Sequence, residues 1–205
     1  ITALIGAGVS MSVGGPSTVD ITNSICSTYQ EIRQGDTFKR IPFLKQIADE
    51  LNKFYEPDKC NFEDIFHVLE TLSSYCSGWK KETVKRYKPP AGAFFSVKNN
   101  YWISENLLIT AERDLIQTIF QLFKGSIMNF DPKGKHKWFN DFWIEACRKC
   151  PWDIGTLNYD NFIEMILDTN GIPYEDGFKD TNHGYHRFDP QSIIHTDKNR
   201  LMHLH

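Results

Sequence analysis

An apolar run, Ile1 to Ile5, passes directly into Gly6-Ala7-Gly8-Val9-Ser10, and no other feature restricts the fold as strongly. A strand that ends in a glycine turn is the usual way an α/β sheet meets a phosphate-bearing ligand. Small residues let the backbone turn tightly and bring its N–H groups close to the charge. On this pattern Gly6, Ala7 and Gly8 contact a cofactor, and Ser10 adds a hydroxyl for a phosphate or ribose oxygen. A plain structural turn is the alternative. The dehydrogenase fingerprint G-x-G-x-x-G is not met, because Met11 stands at the third glycine position. No acidic residue follows a second strand at the ribose-binding distance, which counts against ordinary hydride transfer.

A second strand signal lies about 150 positions on. Asp153 to Leu157 is short, apolar-centred and partly β-branched, as a buried parallel strand should be. It delivers Asn158 and Asp160, an amide and a carboxylate two residues apart. Asp160 opens a helix through Phe162, Ile163, Ile166 and Leu167, closed by Asn170-Gly171. Capping that helix is an equal alternative role for Asp160, and a turn residue is the alternative for Asn158. Ile172 to Tyr174 reads as a further short strand and Arg200 to His205 as another.

Between the two strand signals the period is helical. Val19, Ile21, Ile25, Tyr29 and Ile32 follow Pro16 at helical spacing, and Phe62, Ile65, Phe66, Leu69 and Leu72 form a cleaner stripe. Leu115, Ile116, Ile119, Phe120 and Phe123 repeat it, with Gly125 placed to end that helix. Trp138, Phe139, Phe142, Trp143 and Ala146 make an aromatic one. Core packing accounts for all these stripes. Lys80 to Tyr101, with Pro89-Pro90 and Gly92, reads as a loop. The expected fold is α/β: a Rossmann-like, doubly wound parallel sheet over residues 1–205, with a mainly helical insertion at about 21–150.

Composition narrows the function classes. A net charge of −3 over 205 residues gives no basic stripe for nucleic acid, and no apolar run approaches the roughly 20 residues that cross a bilayer. Five cysteines, an odd number, suit a reducing, cytoplasmic setting better than a disulfide framework. Cys147 and Cys150 lack the further ligands of a zinc site, so they read as packing residues and no metal is expected. Because both ends of the chain fall inside strands, the sequence reads as a segment of a longer protein.

Three patches taken together, Gly6 to Ser10 with Gly14-Gly15-Pro16, Thr156-Leu157-Asn158-Tyr159-Asp160, and Met202-His203-Leu204-His205, resemble the sirtuin family. They are most similar to its sirtuin-like NAD-hydrolase branch from bacterial defence systems. The resemblance implies that NAD+ is bound, with Pro16 leading into a cofactor-covering loop and Thr156 and Asp160 lining the nicotinamide pocket. It also implies that Asn158 orients a water and that His205 is the active histidine, with His203 its neighbour on the same face. Sirtuin deacylases continue after the proline with an acidic residue, an aromatic and an arginine; this chain has Ser17, Thr18 and Val19. The implied activity is therefore NAD+ hydrolysis to nicotinamide and ADP-ribose by the effector domain of an anti-phage protein. Such an effector would be joined to further domains or a partner sensor and would act as a homo-oligomer. An NAD-dependent deacylase and a silent nucleotide-binding module are the alternatives.

Overall fold

The computed structural model describes residues 1–34, 36–54, 59–77, 105–180, 186–194 and 196–204. The expected loop at Lys80 to Tyr101 and the histidine His205 lie outside the described residues. The chain divides into two compact units, Ile1–Pro16 with Phe123–His205, and Ser17–Leu122. Residues 123–150, grouped by their periodicity with the helical stretch, thus belong to the first unit.

That unit contains β1 (Thr2–Ile5) and α1 (Ala7–Met11). The second unit comes next with α2 (Thr18–Cys26), β2 (Gln30–Gln34), β3 (Thr37–Ile41), α3 (Phe43–Leu51) and α4 (Phe62–Ser77). Helix α5 (Glu105–Met128) runs across the division. The chain then returns to the first unit with α6 (Lys137–Lys149), β4 (Asp153–Thr156), α7 (Phe162–Thr169), β5 (Tyr174–Glu175), β6 (Phe178–Asp180), β7 (His186–Phe188), α8 (Pro190–Ile194) and β8 (Asn199–His203).

The first unit is built on a parallel sheet of order β1-β4-β8-β5. Side chains alternate across it, so Ile5, Ile154 and Leu201 share one face. All three are buried there with Phe139, Trp143 and Cys147 of α6 and Phe162, Ile163, Ile166 and Leu167 of α7. The spacing of 139, 143 and 147 is one helical stripe; Trp138 and Phe142, beside it, are exposed. The opposite sheet face carries Leu4 and Leu204, 69% and 52% exposed. A doubly wound sheet has helices on both faces; among the described residues the core of this unit lies on one. Gly125 does not end α5, which continues to Met128. Ile127 and Phe130 pack against the sheet core, and that burial outweighs the helix-breaking tendency of one glycine.

The second unit carries a β-hairpin among its helices. Its first helix stops at Cys26, and residues 30–34 pair antiparallel with 37–41. Tyr29 and Ile32 therefore do not continue the helix that their spacing suggested. Gln30 explains why the strand is favoured. Its side chain is fully buried, and its Oε1 accepts from Phe43 N (3.0 Å) and Leu44 N (3.3 Å), the first free amides of α3. Helix α4 carries the expected stripe, with Phe62, Ile65 and Leu69 buried. Asn61 caps it: Oδ1 accepts from Glu63 N at 2.7 Å while Asp64 reaches back to Asn61 N at 2.9 Å.

Candidate active site

In open α/β sheets, ligands bind beyond the carboxyl ends of the strands where the strand order reverses. Here β1, β4 and β5 are laid down in one direction, and β8 then returns to lie between β4 and β5. Register places Ile5 beside Thr156 and Thr156 beside His203, so three strand ends stand level. The side chains just beyond these ends form the candidate site.

Ser10, Thr156, Asn158 and Asp160 are buried together, each no more than 7% exposed. The Ser10 hydroxyl donates to Asp160 Oδ2 and accepts from Asn158 Nδ2 at 2.7 Å. Asp160 Oδ1 accepts from Phe162 N, the first amide of α7, at 3.2 Å, although Asn161 and not Asp160 stands at the N-cap of that helix. Thr156 spends its Oγ1 on Asn158 N at 3.0 Å, fixing the turn after β4. With Nδ2 committed to Ser10, the buried Asn158 Oδ1 meets no hydrogen-bond partner among the described residues. A buried acceptor left bare is destabilising by about 1–3 kcal/mol, which marks a place where a polar group belongs. A void of about 10 Å³ lies between these residues and Phe139, Phe162 and Leu201. That is close to the minimum of roughly 10–15 Å³ that one water needs. Burial pushes the Asp160 carboxyl above its usual range, opposed by the hydrogen bond from Ser10.

The glycine turn has a different character. Gly6 is extended rather than left-handed, so its conformation does not demand glycine. A Cβ at Gly6 or Gly8 would find no atom within 4 Å, and Ala7 and Gly8 are exposed. Space for a ligand is thus open along this edge. Gly14 and Gly15 are required by the protein itself. Gly14 has φ +90°, and a Cβ on Gly15 would stand 2.9 Å from the backbone carbon of Ser10. Gly15 N also donates to Ser10 O at 2.8 Å, and Pro16 comes one residue after this contact. Gly15→Ala is accordingly expected to destabilise the protein by about 1–3 kcal/mol, because backbone cannot yield as a side-chain tip can. Chemical denaturation would show it as a lower midpoint at unchanged slope; an unaltered midpoint would mean that Ser10 is not held by this contact.

His203 ends β8 at the rim of the cluster. Its Nε2 lies 2.5 Å from Glu164 Oε1 and its Nδ1 3.3 Å from the Asn158 carbonyl oxygen. The hydrogen bond to Glu164 raises the imidazole pKa, with burial opposing. Glu164 is the partner that pattern reading missed, although its place one turn after Asp160 in α7 put it on the site's side of the helix. Cys147 and Cys150 carry free thiols, the first buried and pushed up to about 11 by desolvation. Among the described residues no group of three or more histidine, cysteine, aspartate or glutamate side chains could hold a metal ion. Among them, too, no helix is long and apolar enough to cross a membrane.

No known family model matches the chain, and no curated protein matches it.

Proposed function

We propose that the cluster at the strand ends is the reaction centre of an NAD+ hydrolase, which cleaves the nicotinamide–ribose bond to give nicotinamide and ADP-ribose. The observation that carries this reading is the bare, buried Oδ1 of Asn158 beside a void the size of one water. Glycosidic cleavage of NAD+ leaves the bonding electron pair on the nicotinamide nitrogen and an oxocarbenium-like ribose. Such a reaction needs from the protein a placed nucleophile and a surface that tolerates the developing charge. A water donating to Asn158 Oδ1 is held by a fixed acceptor, because Ser10 and Thr156 lock the amide and the backbone of that residue. The Asp160 carboxylate lies alongside as a negative charge facing the cationic transition state, or as an acceptor for the nicotinamide amide.

The substrate itself is larger than the void. On this reading NAD+ approaches from the open side of Gly6, Ala7 and Gly8, with its pyrophosphate over the glycine turn. His205 takes the proton released by the attacking water. Hydrolysis is favoured over deacylation by the residues after Pro16. Ser17 there caps α2, its hydroxyl accepting from Asp20 N at 3.1 Å while the Asp20 carboxylate accepts from Ser17 N at 2.9 Å. Those residues start a helix in the place where the deacylases carry an acidic residue, an aromatic and an arginine. The biological setting that goes with this activity is NAD+ depletion by an oligomeric anti-phage effector in the cytoplasm.

Incubating the full-length protein with NAD+, with and without an acetyl-lysine peptide, and monitoring products by mass spectrometry tests the proposal. Nicotinamide and ADP-ribose are expected without the peptide. Nicotinamide release that depends strictly on the peptide, with O-acetyl-ADP-ribose among the products, would establish deacylation instead.

A further inference from the structure

We infer that His203 is a positioning residue, a doubly protonated clamp that ties the Asn158 turn to helix α7 through the Asn158 carbonyl on one side and the Glu164 carboxylate on the other. Its effect on turnover rests on the hydrolase reading; the clamp itself does not.

The geometry sets the protonation. Both ring nitrogens face acceptors, Nδ1 the Asn158 carbonyl oxygen at 3.3 Å and Nε2 the Glu164 carboxylate at 2.5 Å. A carbonyl has no proton to give, and neither has an ionised carboxylate. A neutral imidazole owns one N–H, so one of its nitrogens would meet a lone pair with a lone pair. The imidazolium owns two and satisfies both contacts. Among the described residues, the charged groups that face the ring include Glu164, from the first turn of α7, and Asp160, from the turn after β4; both are acidic. They favour the cation, and with the His203 side chain 35% and the Glu164 side chain 16% exposed the attraction is only partly screened.

The consequence falls on Asn158. Its backbone N–H is held by Thr156 Oγ1 and its backbone carbonyl by His203, so the peptide units on both sides of its Cα are pinned. Its side chain can then keep Nδ2 on Ser10 and Oδ1 turned toward the void. Deprotonation of His203 removes one of the two N–H groups and releases one end of that turn. Because the folded-state pKa is raised, the stabilisation is complete below the unfolded value of about 6.5 and is lost as pH rises through the folded value. Turnover should fall over the same interval, on the alkaline side.

Two measurements test the clamp. In the first, the full-length protein labelled with ¹⁵N-histidine is titrated by NMR, with His203→Gln used to identify the resonances. Both ring nitrogens of His203 are expected to be protonated at pH 7, with a midpoint above the ordinary histidine value, and Glu164→Gln should lower that midpoint. A neutral ring at pH 7, or a midpoint indifferent to Glu164→Gln, overturns the inference. In the second, NAD+ turnover is measured against pH. His203→Leu should lower kcat by up to about 10²-fold, as a misplaced reacting group does, with KM little changed. His203→Lys, a cation with several N–H donors that does not titrate near neutrality, should recover most of the rate and lose the alkaline fall. Recovery by leucine as well as by lysine would contradict the clamp. If the parent protein consumes no NAD+, the proposed function fails, and the NMR titration alone then decides the clamp.

Discussion

Replacing Asn158 by alanine is expected to lower NAD+ turnover of the full-length protein by at least about 10²-fold while leaving its stability within about 1 kcal/mol of the parent. The rate loss comes from removing the acceptor that would hold the attacking water; removing a single positioned polar group at a reaction centre typically costs about 10²–10³-fold. The small stability change comes from two opposed effects. The substitution deletes the hydrogen bond to the Ser10 hydroxyl, worth about 0.5–1.5 kcal/mol net. It also deletes the buried Oδ1 that had no partner, which relieves a penalty of similar size. A residue whose truncation is nearly neutral for folding and severe for activity has been kept for its chemistry. His205→Ala should give a loss of about 10²–10⁴-fold through the proton-transfer step. Near-parental turnover in the purified, folded Asn158→Ala protein would sink the assignment of Asn158, and a stability loss above about 3 kcal/mol would show that its role is structural.

Phe162→Ala should have the largest effect on folding, about 3–5 kcal/mol. Phe162 is 1% exposed and packs its ring at 5.5 Å from that of Phe130. It also borders the void shared with Ser10, Asn158 and Asp160, and its own N–H is one of the donors to Asp160. Truncation therefore joins the space of a phenyl ring to an existing gap, and the surrounding sheet and helices cannot close it. Domains of ordinary stability have about 5–15 kcal/mol in total, so this one change removes a large share. Phe142→Ala is the matched control: its ring is 53% exposed and should matter by less than about 1 kcal/mol. Urea unfolding monitored by circular dichroism compares the two. Equal midpoints for both variants would contradict the placement of the core.

The strands of the first unit were legible because their signals are local. Asp153 to Leu157 has the short apolar run of a buried parallel strand, and it forms the pair of neighbours that such a strand needs, β1 and β8. The helix from Phe162 to Thr169 was legible from its stripe and from the turn at Gly171, which has φ +62°. The hairpin of β2 and β3 was not. Ile25, Tyr29 and Ile32 happen to fall at helical intervals, and what overrules them is the burial of Gln30 against the start of α3, a contact that pattern alone cannot express. The end of α5 was misplaced for a related reason, since Ile127 and Phe130 are drawn to a sheet core assembled from distant segments. At the site, the types and spacing of Asn158 and Asp160 pointed to chemistry, and Ser10 to a ligand oxygen. What could not be foreseen is that Ser10 is consumed by the other two, and that His203 touches the Asn158 turn and is braced by Glu164.

The pairing of Thr2 with Asp153 has a consequence for how the protein is born. During synthesis β1 emerges first, yet its neighbour in the sheet is encoded about 150 residues downstream. At roughly 5–20 residues per second the ribosome takes on the order of 10 s to supply it. Throughout that interval Ser10 has neither Asn158 nor Asp160, so an incomplete chain cannot assemble the buried cluster. Ser17–Leu122 is a compact unit encoded wholly between the two strands. The free-energy penalty for closing so wide a separation grows only with its logarithm, about 0.6 kcal/mol per doubling. Two widely separated stretches of chain thus meet in this cluster only after translation has passed both, and the stretch between them can change in length at little energetic cost.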